Sequence, residues 1–313
     1  MRLLLGVRMN TEQQHVADPY RPSSRAVQDR VGVRELADHV GRSMGQGIRP
    51  VAAAFLELQP MLVLGGADPA SGKVWASLRT GEPGFVRATG PHQISLTTEL
   101  PDTDPLTPAL KTAGTPVGTI ALDPRTRRRM RLNGRARPTR RGLAIEADQV
   151  FSNCPKHLQK RELLGARAPY LAPRTTRGTA LTPPQCALIT ASDTFFLATV
   201  HETGADASHR GGNPGFVRVL SPRELEWPDY PGNAMFLTLG NLTADPRAGL
   251  LFLDWTTGAT LQLTGTAVTV YAADGTRTVR FTVAEARATE SASPWIWSAP
   301  EYSPANPRPP RTP

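Results

Sequence analysis

The sequence has 313 residues, enough for two domains that each bury a core. Hydrophobic residues make up 39% and charged residues 20%, which is typical of a globular protein and excludes a fibrous or wholly disordered one. No apolar run approaches the roughly 18 residues of a membrane-spanning helix, and the two cysteines, Cys154 and Cys186, lack the spacing of a zinc site.

Taken in chain order, the first segment, residues 1–48, has the pattern of a helical extension. Its opening apolar stretch is too short for a signal peptide, and no small-residue cleavage site follows it. We therefore expect a cytoplasmic protein whose translation starts at Met1 or at Met9.

The central part of the chain contains one domain twice. When residue n is placed against residue n+131, Ala76–Ala136 and Ala207–Ala267 share 21 identities in 61 columns without a gap. The phrase ASLRTGEPGFVR of the first copy becomes ASHRGGNPGFVR in the second, and turn residues such as Gly118 and Gly249 keep their register. A period as long as a whole domain indicates a duplication and not a solenoid.

Each copy is predicted to be a small antiparallel β-barrel. Strands with few helices between them favour a mostly β fold over a doubly wound sheet. In the second copy the strands are predicted at 195–200, 215–220, 249–255 and 261–270. Short helices are expected before the first strand of each copy, at 51–58 and 183–191.

The predicted domain organisation has five parts. They are a helical extension (1–48), a first barrel (49–160), a linker (161–180), a second barrel (181–287) and a proline-rich tail (288–313). The tail has seven prolines from Ser291 onward, so we expect it to lack a packed core.

The net charge of +9 is concentrated in one segment. Between Arg125 and Arg141 there are nine arginines and no acidic residue. Three interpretations are open: a solvated basic face, a face that receives an anionic substrate or an acidic electron-transfer partner, and a strand that follows nucleic-acid phosphates. Few aromatic residues interleave with the arginines, which argues against base stacking and makes nucleic acid an unlikely partner.

In order along the chain, these segments resemble the pyridoxamine 5′-phosphate oxidase-like split-barrel flavoproteins. The resemblance rests on ASHRGGNPGFVRVL, PDYPGNAMFLTLGNLTADPRAGLLFLDW and LQLTGTA in the second copy, and on VWASLRTGEPGFVR and DQVFSNCPKHLQKR in the first. It covers about residues 48–285 and points to the two-barrel subgroup. It implies two tandem six-stranded antiparallel split barrels that pair as an internal pseudo-dimer or within a homodimer. It also implies FMN, or in some branches a deazaflavin or heme, at the interface between barrels.

The resemblance further implies a cofactor site built mainly on the second copy. Arginine suits its phosphate because the planar guanidinium makes two charge-assisted hydrogen bonds, and neighbouring glycines let the backbone approach closely. The residues implied are Ser208, His209, Arg210, Gly211, Phe216, Val217, Arg218, Asn233, Thr238, Asn241, Gln262 and Thr264. If the barrels pair face to face, Asn153, Lys156 and Gln159 of the first copy join them.

The first copy is predicted to have lost this site. It keeps Ser77 and Arg79, but it has Asp102 and Leu110 where the second copy has asparagines, and Asp104 lies nearby. Carboxylates in these positions would repel a phosphate. We therefore expect one intact site, with the first copy as its wall.

The function expected from the resemblance is that of an FMN-dependent oxidoreductase, with an unidentified small-molecule substrate and an electron-donating reductase as a partner. The alternatives are a non-enzymatic carrier of a flavin, deazaflavin or heme, and a nucleic-acid-binding module that uses the arginine-rich segment. His209 is the one candidate for acid–base catalysis, because an unperturbed histidine has a pKa near neutrality; a hydrogen-bonding role in the turn is the alternative. Cys154 is interpreted as a packed residue or as a redox thiol. No metal site is predicted.

Overall fold

The computed structural model describes residues 18–152, 154–167 and 174–307. Three helices precede the first sheet: α1 (Pro22–Val31), α2 (Arg34–Gly41) and α3 (Pro50–Glu57). Helix α1 has a proline in its first turn and ends at Gly32, whose φ of 72° is the left-handed conformation of a helix C-cap. The described part of the predicted extension is thus helical, whereas residues 1–17, which include both predicted start sites, lie outside the described residues.

The first copy forms one antiparallel sheet. Its strands are β1 (Met61–Ala67), β2 (Val74–Thr80), β3 (Val86–Gly90), β4 (Gln93–Thr97), β5 (Thr115–Asp123), β6 (Arg128–Thr139) and β7 (Gly142–Ser152). They are hydrogen-bonded in the order β2-β1-β5-β6-β7-β4-β3, and helix α4 (Thr107–Leu110) lies between β4 and β5. All seven strands contribute to one buried apolar cluster, so the sheet curls around its own core.

The second copy repeats this sheet. Its strands are β10 (Thr194–His201), β11 (Gly204–Gly211), β12 (Arg218–Ser221), β13 (Glu224–Pro228), β14 (Arg247–Leu253), β15 (Thr260–Tyr271) and β16 (Arg277–Thr289). Helix α5 (Pro183–Ala191) precedes them and α6 (Leu237–Ala244) lies between β13 and β14. The order β11-β10-β14-β15-β16-β13-β12 is that of the first copy, and β9 (Thr175–Gly178) is added beside β16.

The mostly β fold with two repeated barrels is confirmed, with seven strands in each repeated unit where the resemblance implied six. The helices predicted at 51–58 and 183–191 are α3 and α5. The domain bounds themselves remain predictions. In the described chain, no helix has both the length and the apolar character needed to cross a membrane.

The prediction that the tail lacks a packed core is wrong for its described part. Strand β17 (Trp295–Trp297) pairs with β8 (Leu163–Ala166), which lies in the segment predicted to be a linker. Trp295 and Trp297 are each only 6% exposed, and the Trp295 indole donates to the Pro60 carbonyl at 2.9 Å. The indole rings bury enough apolar surface to fix a segment that its prolines alone would leave extended.

A third apolar core lies between the two barrels. It joins Val63 and Ile120 of the first copy to Phe196 and Leu251 of the second. The two sheets approach each other to backbone contact at Gly118, where a Cβ atom would lie 2.4 Å from the backbone of Asp206 and Ala207. Its repeat partner Gly249 has the same role, because a Cβ there would lie 2.6 Å from the backbone of Trp75. The tandem copies therefore pack face to face as an internal pseudo-dimer.

We expect Gly118→Ala to lower the free energy of unfolding by about 2 kcal/mol or more, because the added methyl group meets backbone atoms that cannot move aside independently. The measurement is urea-induced unfolding followed by tryptophan fluorescence. Gly45→Ala is the matched control, since a Cβ at Gly45 meets no atom within 4 Å. Equal stability of the two variants would contradict the close approach of the sheets.

Candidate functional site

A cleft with a cavity volume of about 120 Å³ lies between the barrels. The second copy contributes the end of β11 and the loop that leads into α6, and the first copy contributes β6 and the turn after β7. The polar and ionisable side chains that line the cleft include Arg129, Arg131, Cys154, His157, Ser208, His209, Arg210, Tyr230, Asn233 and Thr238. The repeated phrase of the second copy therefore lies in a cleft to which both copies contribute.

Arg210 and Ser208 occupy alternate positions at the end of β11, so their side chains share a face of the sheet. Arg210 donates from Nη1 to the Ser208 hydroxyl at 3.1 Å and to the His209 carbonyl at 3.0 Å. The Thr238 hydroxyl, from α6, donates to Ser208 Oγ at 3.2 Å. These bonds position the guanidinium, and burial lowers the pKa of Arg210 below its ordinary value.

Arg129 reaches the cleft from β6 of the first copy. Its Nη1 lies 2.7 Å from Nδ1 of His209, and its Nη2 donates to the Cys154 carbonyl at 2.7 Å. Burial, followed by repulsion from Arg210 and Arg131, lowers the pKa of Arg129 to about 9. His209 is only 5% exposed, and burial together with both neighbouring guanidinium groups lowers its pKa well below 6.5. The imidazole is therefore neutral at physiological pH.

Arg131 is the second arginine that β6 contributes, and it differs from Arg129 in having a counterion. It forms an ion pair with Asp206 of β11, and it lies over the Phe151 ring at 4.8 Å from the ring centroid. Asp206 also accepts hydrogen bonds from Asn133 Nδ2 at 3.1 Å and from Thr238 Oγ1 at 3.3 Å. This buried network links the two copies and neutralises one of the three arginines.

The loop before α6 provides the opposite wall. Ala234 and Phe236 have positive φ values of 61° and 51°, which turn the chain sharply into the helix. Tyr230 packs against His157 of the first copy, with ring centroids 4.8 Å apart. The side-chain oxygen Oδ1 of Asn233 accepts a hydrogen bond from the Met235 backbone amide at 3.3 Å. The Nδ2 group of Asn233 takes no part in this bond.

The buried polar atoms of the cleft that lack a hydrogen-bond partner among the described residues are all donors. They are Nε of Arg129, Arg131 and Arg210, Nε2 of His209 and Nδ2 of Asn233. No carboxylate of the described chain forms an ion pair with Arg129 or Arg210, while Asp229, which also lines the cleft, is paired with Arg277 at 2.9 Å. Burial of two uncompensated guanidinium groups is costly unless an anion joins them. The phosphate of a flavin nucleotide fits this donor set.

The structure brings eight of the predicted site residues to the cleft. They are Lys156, Ser208, His209, Arg210, Gly211, Phe216, Asn233 and Thr238. Phe216 also packs against Phe195 of the barrel core, with ring centroids 5.8 Å apart. Asn153 lies outside the described residues.

Three other predicted residues of the second copy, two of them at the end of the phrase, point away from the cleft. Val217 is fully buried in the core of the second barrel, because successive residues alternate in direction. Arg218 is exposed and forms an ion pair with Glu226. Asn241 is buried on α6, where its amide donates to Thr199 Oγ1 at 3.0 Å.

Gln159, Gln262 and Thr264 also lie away from the lining of the cleft. Gln159 braces the neighbouring turn, with its amide donating to the carbonyls of His157 at 3.0 Å and Gly212 at 3.1 Å. Gln262 donates to the Ala76 carbonyl at 2.9 Å and to Ser77 Oγ at 3.1 Å, so it reaches the phrase of the first copy. Thr264 is buried on the same strand.

The position of Gln262 reveals the two functional residues that the sequence reasoning missed. The late strand of each copy reaches across to the phrase of the other copy. The positions 131 residues before Thr260 and Gln262 are Arg129 and Arg131, so these arginines face the second phrase. The repeat register contained this signal, although the sequence analysis left the arginines open as a solvated face, a face for an anionic substrate or acidic partner, or a nucleic-acid-binding strand.

The arginines of this segment therefore differ in what surrounds them. Arg129 and Arg131 line the cleft, and Arg127 bonds the Glu301 carboxylate of the tail at 2.9 Å. Arg128 and Arg137 remain exposed. Because Arg129 and Arg131 line the cleft, they are not part of a continuous surface that could follow nucleic-acid phosphates. Their position favours the interpretation that the arginines receive an anion.

The equivalent phrase in the first copy has an internal counterion. Arg79 is only 4% exposed and donates to the Asp104 carboxylate at 3.1 Å, and Ser77 Oγ donates to the same group at 2.8 Å. The position equivalent to Asp104 in the second copy, 131 residues later, is Met235, which carries no charge. The two phrases therefore differ in whether the protein supplies the anion itself.

Comparison with known proteins gives one sequence match and several structural ones. Residues 181–310 match the family model described as pyridoxamine 5′-phosphate oxidase. A structure from Lactobacillus delbrueckii, described as a candidate pyridoxamine 5′-phosphate oxidase, is 19% identical with a TM-score of 0.29 and covers 35% of this chain and 94% of its own. An FAD-binding protein from Mesorhizobium loti is 12% identical, with a TM-score of 0.29, over 38% of this chain and 99% of its own. No curated protein matches the chain.

We expect His209 to make the protein sensitive to mild acid. Its pKa lies below 6.5 in the folded state, so as the pH falls below 6.5 the unfolded chain takes up a proton that the folded chain excludes, and stability falls. Between pH 6 and pH 5, His209→Gln should lose roughly 1 kcal/mol less stability than the unaltered protein. Urea unfolding at both pH values measures this difference. The exposed substitution His92→Gln is the control, and an unchanged loss in His209→Gln would count against a neutral, buried His209.

Proposed function

We propose that the chain, whose residues 181–310 match the family model described as pyridoxamine 5′-phosphate oxidase, binds FMN in the cleft between the barrels and acts as a flavin-dependent oxidoreductase. The observation that carries the proposal is the pair of partly buried arginines, Arg129 and Arg210, whose buried Nε atoms lack a hydrogen-bond partner and which have no carboxylate partner in the described chain. A phosphate monoester supplies two negative charges and several acceptor oxygens to such a pair.

The residues of the chain divide the work of binding. Arg210, Ser208 and the backbone at Gly211 would hold the phosphate, and Arg129 would neutralise its second charge across the interface. Phe216 contributes apolar surface to the cleft. When bound, the flavin supplies hydride or single-electron transfer, while the protein orients it and sets its electrostatic surroundings.

The same geometry supports FMN or a deazaflavin over heme. Among the lining residues, His209 could ligate iron only through a ring nitrogen, and its Nδ1 lone pair already accepts a hydrogen bond from Arg129. A lone pair on Nε2 is absent from the neutral imidazole that this bond selects. The donor-only lining therefore suits a phosphorylated ring system with acceptor atoms.

A non-enzymatic flavin carrier is the second candidate, and one observation favours it. The Nδ1 lone pair of His209, the residue predicted as an acid–base catalyst, is occupied by Arg129, so His209 is not ready to abstract a proton. Electron transfer through a bound flavin needs no proton-abstracting group, so an electron-donating reductase would be a sufficient partner.

We expect Arg210→Ala to weaken FMN binding by about 10- to 100-fold, because it removes a charge-assisted bond to the phosphate. Arg79→Ala is the matched control in the other copy and should change the affinity less than about twofold, since its charge is already neutralised by Asp104. Quenching of FMN fluorescence during titration measures both dissociation constants. Equal losses in the two variants would contradict a single site built on the second copy.

A further inference from the structure

We propose that Arg129 is a positioning residue that holds His209 as the neutral tautomer with its proton on Nε2, and that this Nε2–H donates a hydrogen bond to the ligand in the cleft. The inference rests on the proposed function only for the identity of the ligand. The tautomer follows from contacts within the protein.

The first step is the direction of the bond between the two side chains. Arg129 Nη1 lies 2.7 Å from His209 Nδ1. A guanidinium group has donors and no acceptor, so Nδ1 must be the acceptor and must carry the lone pair. In a neutral imidazole the remaining proton then lies on Nε2.

The second step is that both partners are fixed. The guanidinium of Arg129 is held from its other nitrogen by the Cys154 carbonyl at 2.7 Å. The imidazole packs edge-on against Phe196, with ring centroids 6.0 Å apart. On its other side lies Gly211, where a Cβ atom would come within 2.9 Å of the His209 Cε1 atom. The ring therefore keeps one orientation, with Nε2 on the side away from Arg129.

The third step concerns charge. Apart from Arg129, the charged or titratable groups that act on the imidazole are Arg210 and His157, and all three lower its pKa. An imidazolium would direct an Nδ1–H group at the Arg129 guanidinium, which has no acceptor for it. The doubly protonated form is thereby excluded, and the single proton stays on Nε2.

The fourth step is the surroundings of Nε2. This nitrogen is buried and, within the described residues, has no hydrogen-bond partner, although the side chain lines the cleft. A buried donor without an acceptor costs free energy that a ligand acceptor recovers. An isoalloxazine offers carbonyl oxygens and ring nitrogens of that kind, whereas a metal ion needs a lone pair on the same atom.

The pair of side chains exists once in the duplicated fold. The position equivalent to His209 in the first copy is Leu78, and the position equivalent to Arg129 in the second copy is Thr260. Neither residue can reproduce the contact, since leucine has no polar atom and threonine carries no charge. The donor is therefore specific to the cleft that contains Arg210.

The tautomer is tested on the full chain without ligand, by nitrogen-15 NMR of histidine-labelled protein. We expect the His209 Nε2 resonance to show a protonated nitrogen and Nδ1 an unprotonated one. Arg129→Met, which removes the donor and keeps the bulk, should give a mixture of tautomers. Arg128→Met is the matched control on the exposed side of the same strand and should leave the spectrum unchanged. A proton on Nδ1 in the unaltered protein, or an unchanged spectrum in Arg129→Met, would overturn the proposal.

The hydrogen bond to the ligand is tested with FMN and with hemin as probes. His209→Gln keeps an amide N–H near the Nε2 position, and His209→Asn does not reach it, so we expect Asn to weaken FMN binding about fivefold more than Gln. FMN should also shift the Nε2 resonance. A hemin spectrum that shows a histidine ligand and loses it in His209→Ala would overturn the donor role. Failure of FMN to bind the unaltered protein, with the tautomer observed as expected, would refute the proposed function and leave the role of Arg129 in place.

Discussion

The two barrels meet by contact between their backbones, and the candidate site depends on that contact. Gly118 and Gly249 occupy the same position in the two copies, and a side chain at either would separate the sheets. Because the sheets lie so close, apolar residues from both close a third core between them. The first residues of β6 and of β15 then lie against the phrase of the other barrel, as the hydrogen bond from Gln262 to Ser77 shows. The cleft is thus a product of the interface and belongs to neither barrel alone.

This exchange across the interface explains how a duplicated fold acquires one site of a given kind. Each phrase is completed by a strand from the other copy, so a substitution in one copy alters the site of its partner. The Arg131 guanidinium lies beside the second phrase, whereas the equivalent residue Gln262 places a neutral amide beside the first phrase. In the first copy Asp104 neutralises Arg79, and the equivalent Met235 leaves Arg210 without a carboxylate. Small differences at equivalent positions thus separate a cleft in which Arg210 has no carboxylate partner among the described residues from a closed structural contact.

The sequence predicted the repeat, the β-barrels and the phrase that lines the cleft, because glycines, prolines and alternating residues act locally. It did not predict what covers each face of a strand. The barrel that covers the arginines of β6 is distant in sequence, so the sequence left a solvated face, a face for an anionic substrate or partner and a nucleic-acid-binding strand open as interpretations. Val217 was assigned to the site by resemblance, although its position beside Phe216 directs it into the core. The prediction for the tail was wrong because it considered the proline content and not Trp295 and Trp297. The burial of these two side chains depends on residues that are distant in sequence.

The electrostatics of the two phrases follow from a single requirement, which is that a buried arginine needs an anion. At Arg79 the carboxylate of Asp104 provides this anion permanently. An external anion meets this requirement only when bound. In the folded state without ligand, burial is the main cause that lowers the pKa values of Arg129 and Arg210, and repulsion from Arg210 lowers the pKa of Arg129 further. Any ligand that binds only the folded state then stabilises it by mass action. A cleft that contains buried, uncompensated cations therefore couples the stability of both barrels to its ligand, because its cations come from both copies.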